Sequence, residues 1–177
     1  MLRAIRLDPS DTFVFERAAE PGEWLISGAF LFGGQSYDAL SPKARVAFRS
    51  GFLGLTSFGW CTLGIVTEAT PAERDSAVAT LSQHFMSMGA PDEHAARLAA
   101  EEEVDFAASL CDHPPQTLVA VHRSFEQGEI RERFRTLTPR GDRPAHAPRA
   151  FEFFEADDGA EDTADDIMLA EFVKPAS

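Results

Sequence analysis

The plainest period-two alternation of apolar and polar residues lies in VAVHRSFEQGEIRERF, residues 119–134. Successive strand side chains point to opposite faces, so a two-residue loop at Gln127-Gly128 folds this run into a hairpin. The turn is type I′ when φ is positive at both loop residues. Glu126 then faces Glu129, Phe125 faces Ile130, Arg123 faces Glu132 and Val121 faces Phe134. One face collects Val119, Val121, Phe125, Ile130 and Phe134, with Arg123 and Glu132 as a cross-strand ion pair. The other face collects His122, Ser124, Arg131, Arg133 and Arg135.

Upstream, Leu2 to Leu7 reads as a first strand, and Asp8-Pro9-Ser10-Asp11 as a type I turn. Thr12 to Glu16 reads as a second strand and hairpin partner of the first. Trp24 to Phe32 is apolar on both faces, the pattern of a covered central strand, with Gly28 marking a bulge or a close neighbour. Ser41-Pro42 opens a helix that stops at Gly51. Trp60 to Glu68 is a further strand.

Two longer helices follow. Thr70-Pro71-Ala72-Glu73 is a capping box with proline at N1, and Val78, Leu81, Phe85 and Met88 make one apolar stripe behind it. Pro91-Asp92 opens the second, which ends near Leu110 and Cys111 at an Asp-His-Pro-Pro turn. Its core face is read as Ala95, Leu98, Ala99, Phe106 and Leu110. Of the acids Glu101, Glu102 and Glu103, Glu102 lies nearest that stripe, at i+4 from Leu98 and i−4 from Phe106. Antiparallel hairpins with three helices between them predict an α+β fold, a mainly antiparallel sheet with about three helices packed on one face.

Charge divides the chain further. Of the net charge of −13, residues 1–137 hold −7, residues 138–150 hold +2 and residues 151–177 hold −8. The expected organisation is an α+β core over 1–137, a Pro/Arg-rich linker over 138–150, and a flexible acidic tail over 151–177. The apolar ends of that tail, Phe151–Phe154 and Ile167–Phe172, suit docking. An acidic balance argues against nucleic-acid binding, which needs a basic field. No run of 18 apolar residues occurs and the N-terminus carries no apolar h-region, so neither a membrane span nor a signal peptide is read. Cys61 and Cys111 form no framework, and a reduced, cytoplasmic setting follows.

Two constellations carry chemistry. Cys111, His113 and His122 are ligand types for zinc, but a structural site takes four ligands, so no cofactor or metal is expected. Cys111 with a histidine base is the weak alternative of a nucleophile pair, and otherwise the Cys-Asp-His segment is a helix stop. Arg131, Arg133 and Arg135 recur every second residue, about 6.6–7 Å apart. Such a row serves as a solvated face that protects an edge strand, or as a seat for an anion: a carboxylate, a phosphate, an acidic partner or the chain's own tail. The glycines of GFLGLTSFGW match neither a P-loop nor a dinucleotide fingerprint.

The pieces RLDPSDTFVFERAAEPGEW, AFRSGFLG and FAASLCDHP, with the hairpin after them, resemble an uncharacterised bacterial protein family of unknown function. The resemblance covers about residues 1–138 and implies no reaction, cofactor or site residue. From the residues alone, the first expectation is a non-enzymatic accessory, assembly or interaction protein. It would bind a partner protein through the arginine-lined face, the tail or both, with homo-oligomerisation open. The second is a small enzyme or anionic-ligand binder. Its site would lie between the second long helix and the hairpin, with His113, His122 and Arg133 joined by Glu102 or Cys111.

Overall fold

The computed structural model describes residues 1–139 and 154–157, with side chains to residue 137. The linker at 140–150 and the tail, except Phe154–Asp157, lie outside the described residues. Among the described residues, eight strands form one antiparallel sheet: β1 Leu2–Ile5, β2 Trp24–Ile26, β3 Phe52–Gly54, β4 Trp60–Cys61, β5 Leu63–Val66, β6 Leu118–Glu126, β7 Glu129–Pro139 and β8 Phe154–Asp157. Their order is β4-β3-β2-β1-β5-β6-β7-β8. The helices are α1 Ser10–Val14, α2 Pro42–Ser50, α3 Pro71–Ser87 and α4 Glu93–Ser109. The chain is thus α+β, as its pattern predicts. Among the described residues no helix is long and apolar enough to cross a membrane.

The sheet curls. Phe52 of β3 stacks on Phe134 of β7 with ring centroids 6.2 Å apart, although four strands separate them in the sheet order. Leu2, Leu25, Phe52, Val66, Val119 and Val121 form one core cluster within that curl. Met1, Ile26 and Leu53 form another, with Val78 and Leu81 of α3 and Ala100, Val104 and Ala107 of α4. The helix α2 lies against the hairpin, its Phe48 stacked on Phe125 at 4.5 Å.

Three local expectations are corrected. Residues 10–14 form helix α1 rather than a strand beside β1, whose partners are β2 and β5. The Ser10 amide donates to Asp8 at 2.7 Å and the Thr12 hydroxyl to the Pro9 carbonyl at 2.6 Å, which closes the chain locally. A strand would put Phe13 and Phe15 on one face; the helical turn buries Phe15 and leaves Phe13 71% exposed. Second, β2 ends at Ile26. Gly28 has φ of +73°, and a Cβ there would come within 2.7 Å of the Leu53 Cβ, so only glycine lets the chain turn into the 3-10 segment Ala29–Phe32. Third, the run Trp60–Glu68 breaks into β4 and β5 at Thr62, whose amide and hydroxyl both donate to the buried Asp11 carboxylate.

The helices start as expected. The Ser41 side chain caps α2, with the Ala44 amide as donor at 3.2 Å. Thr70 and Glu73 form the reciprocal capping box of α3, and Asp92 caps α4. The phase of α4 differs from the sequence reading. Its buried residues are Ala96, Ala100, Val104 and Ala107, whereas Leu98 is 48% exposed and Phe106 40% exposed. Met88, read as part of the α3 stripe, is also exposed.

Candidate binding face and a buried arginine

The hairpin β6–β7 has the register that alternation predicts. Glu126 pairs with Glu129, Phe125 with Ile130, Arg123 with Glu132 and Val121 with Phe134. Gln127 and Gly128 have φ of +53° and +86°, as a type I′ turn requires.

On the outer face, Arg131, Arg133, Arg135 and His122 are all exposed. Arg131 pairs with Glu129 at 3.0 Å, a solvent-facing contact of small energetic weight. Arg49 at the end of α2 joins this face from the side and donates to the Tyr37 hydroxyl at 2.9 Å. Partial burial, followed by the charges of Arg135, Arg49 and Arg133, lowers the pKa of His122. The face therefore carries its positive charge on arginines near neutral pH, with His122 as a neutral donor and acceptor.

On the inner face of the same strands, Arg123 is fully buried. Its Nε donates to Glu132 at 2.6 Å. Nη1 donates to the carbonyls of Gly51 at 2.7 Å and Phe48 at 3.0 Å. Nη2 donates to the carbonyl of Ser27, and the Ser27 hydroxyl donates to Glu132 at 2.6 Å. The carbonyls at the end of α2 lack intrahelical donors and form the negative end of the helix dipole, which is where a guanidinium belongs. Arg123 therefore ties the hairpin to α2 and to the segment after β2. Burial lowers its pKa, and the carboxylates of Glu132 and Glu103 oppose that shift.

Glu103 of α4 stands beside this cluster. Its Oε2 is buried without a hydrogen-bond partner among the described residues. Burial first, then the charges of Glu132 and Glu102, push its pKa up to about 7 despite Arg123. Glu102, which the sequence reading placed nearest the apolar stripe, is exposed. The inward acid is Glu103, three residues after Ala100 and four before Ala107, as the alanine phase of α4 dictates.

The other sequence candidates divide between these faces. Cys111 packs in the inner cluster with Leu110 and Phe134, while Arg133 and His122 point outward from the same hairpin. His113 is exposed in the turn after α4. The structure thus gathers Arg131, Arg133, Arg135, His122 and Arg49 on the outer face, and Cys111 lies across the hairpin from them. Both cysteines are free. Burial raises the Cys61 thiol to a pKa of about 11, which keeps it protonated and inert. Among the described residues no three His, Cys, Asp or Glu side chains converge as a metal site would need.

Sequence reasoning missed Arg49, Ser27 and Glu103. The first two arrive through long-range packing of α2 and the β2 end, and no local signal marks them. Glu103 had one: it completes an i, i+3, i+7 pattern with Ala100 and Ala107 once alanines are taken as the core face.

No curated protein and no solved structure matches the chain. A family model matches residues 1–147, the whole described core and its hairpin, and by that match the chain belongs to DUF6505, a family of unknown function.

Proposed function

We propose that the chain is a non-enzymatic accessory or interaction protein of the cytoplasm that binds an acidic partner protein through the arginine face of the β6–β7 hairpin. The observation that carries this reading is the exposure of Arg131, Arg133 and Arg135 on one side of one strand. Arginines spaced about 7 Å apart match alternate side chains of an extended acidic segment and can hold carboxylates in bidentate fashion. Such contacts steer association and set specificity more than they add raw affinity.

The test is a comparison of the full chain with its R131E/R133E variant, each immobilised and exposed to an extract of its own host. One or a few acidic proteins should bind the native chain, elute with moderate salt and be reduced at least tenfold on the variant. Identical recovery on both would remove the arginine face from the reading. A second reading is a site for a small carboxylate or phosphate, favoured by the charges of Arg135, Arg49 and Arg133 that all act on His122. Elution of the partner by millimolar phosphate, where equal ionic strength of chloride fails, would favour it.

A further inference from the structure

Helices α3 and α4 leave a groove between them of about 320 Å³, lined by Val78, Ser82, Gln83 and Met86 of α3 and by Glu93 and Arg97 of α4. That volume suits a small ligand. Val78 is buried and Met86 is exposed, so the groove offers apolar contact. Ser82 is only 8% exposed, yet its hydroxyl makes no hydrogen bond among the described residues. Helical hydroxyls commonly return their proton to a carbonyl one turn back. Thr80, Ser87 and Ser109 do so, at 2.9, 2.7 and 2.7 Å. Ser82 instead keeps its donor and acceptor for the groove it lines. Glu93 and Arg97 are four residues apart on α4 and so share one wall. Arg97 commits its Nε to Glu101 at 2.9 Å. Its Nη groups and the Glu93 carboxylate make no hydrogen bond or ion pair among the described residues.

A lone anion would meet Arg97 but be repelled by Glu93, and a lone cation the reverse. The ligand that satisfies both carries an ammonium and a carboxylate a few atoms apart, beside an apolar group. We propose that the α3–α4 groove binds a free α-amino acid with an apolar side chain. The ligand's carboxylate meets Arg97, its ammonium meets Glu93, the Ser82 hydroxyl bonds to its polar end, and its side chain rests on Val78 and Met86. Both charged walls face solvent, so each contact adds little affinity alone, and the demand for both charges at once supplies the selectivity. This site lies on the helices and is independent of the arginine face of β7 and of any partner bound there.

The experiment titrates the isotope-labelled full chain with L-leucine, L-methionine and L-phenylalanine at millimolar concentration and follows its backbone amides by NMR. N-acetyl-L-leucine, which lacks the ammonium, and L-leucinamide, which lacks the carboxylate, are the controls. At least one of the amino acids should shift the amides of Ser82, Gln83 and Arg97 saturably. Each control should bind at least about tenfold more weakly than leucine, and the Glu93→Gln and Arg97→Gln variants should lose affinity to the same degree. Both variants change exposed side chains, and Arg97→Gln also breaks only a solvent-facing pair of small energetic weight. The control ligands test the charge match on the native chain, without any variant. No saturable shift at those amides with any of the three amino acids would overturn the site. Controls that bind as well as leucine, or affinity undiminished in both variants, would overturn the zwitterion match.

Discussion

Arg123 is the residue whose environment most constrains the fold. Its partners come from four places: Glu132 on β7, Ser27 after β2, Phe48 in α2, and Gly51 just beyond it. A buried ion pair is weak evidence of net stability, but removal of one partner leaves the other charge and several carbonyls without donors. Arg123→Met should therefore lower unfolding free energy by about 3–5 kcal/mol, measured by urea denaturation. The double variant Arg123→Met/Glu132→Leu should regain part of that loss, because Glu132 no longer stays behind unpaired. The pair itself is legible in the hairpin alternation. Its burial under α2 is not, because the acceptors lie more than 70 residues away in sequence.

Among the elements, α3 shows how far local chemistry reaches. Thr70 accepts from the Glu73 amide at 3.2 Å, and Glu73 accepts from the Thr70 amide at 2.9 Å, as the four-residue motif requires. Thr70→Ala should cost about 1 kcal/mol and lower the melting temperature by about 2–4 °C, read by circular dichroism. Helix α4 shows the limit. Its largest apolar residues mark a stripe that the structure leaves half exposed, and its alanines form the buried seam against α3 and the sheet. Small side chains permit close approach, and only the neighbouring surfaces decide that closeness outweighs the area of a leucine. The segment 12–16 fails for a related reason: the polar turn residues before it find donors and acceptors within the turn, and that local closure overrides the apolar alternation.

For the molecule as a whole, Glu103 couples folding to pH. Its carboxyl titrates near 7 in the folded chain, against 4.5 as the ordinary value. Between those values the folded state holds a proton that the unfolded state has released, so stability falls as pH rises through this window and levels off above it. Glu103→Gln should flatten that slope. Its advantage over the native chain should be near zero below pH 4.5 and reach about 1–2 kcal/mol at pH 8, after allowance for solvent screening of a partly exposed group. Denaturation at a series of pH values checks this; parallel curves for the two proteins would show that Glu103 does not titrate there. The site is assembled from distant elements: Arg123 of β6 reaches the carbonyls at the end of α2, Glu132 comes from β7, and Glu103 of α4 acts on Arg123 from earlier in the chain.

Pattern and composition by themselves determine the α+β class, the caps of α2, α3 and α4, and the full register and turn type of the β6–β7 hairpin. They also place the three arginines on one face. These features depend on contacts within a few residues or on strict period-two geometry, both of which are written locally. Tertiary structure alone decides that the end of α2 covers Arg123, that Glu103 and not Glu102 turns inward, and that Arg49 acts on His122 from outside the hairpin while Cys111 lies across from it. Each of those outcomes depends on surfaces brought together from distant parts of the chain, where packing and desolvation outweigh local preference.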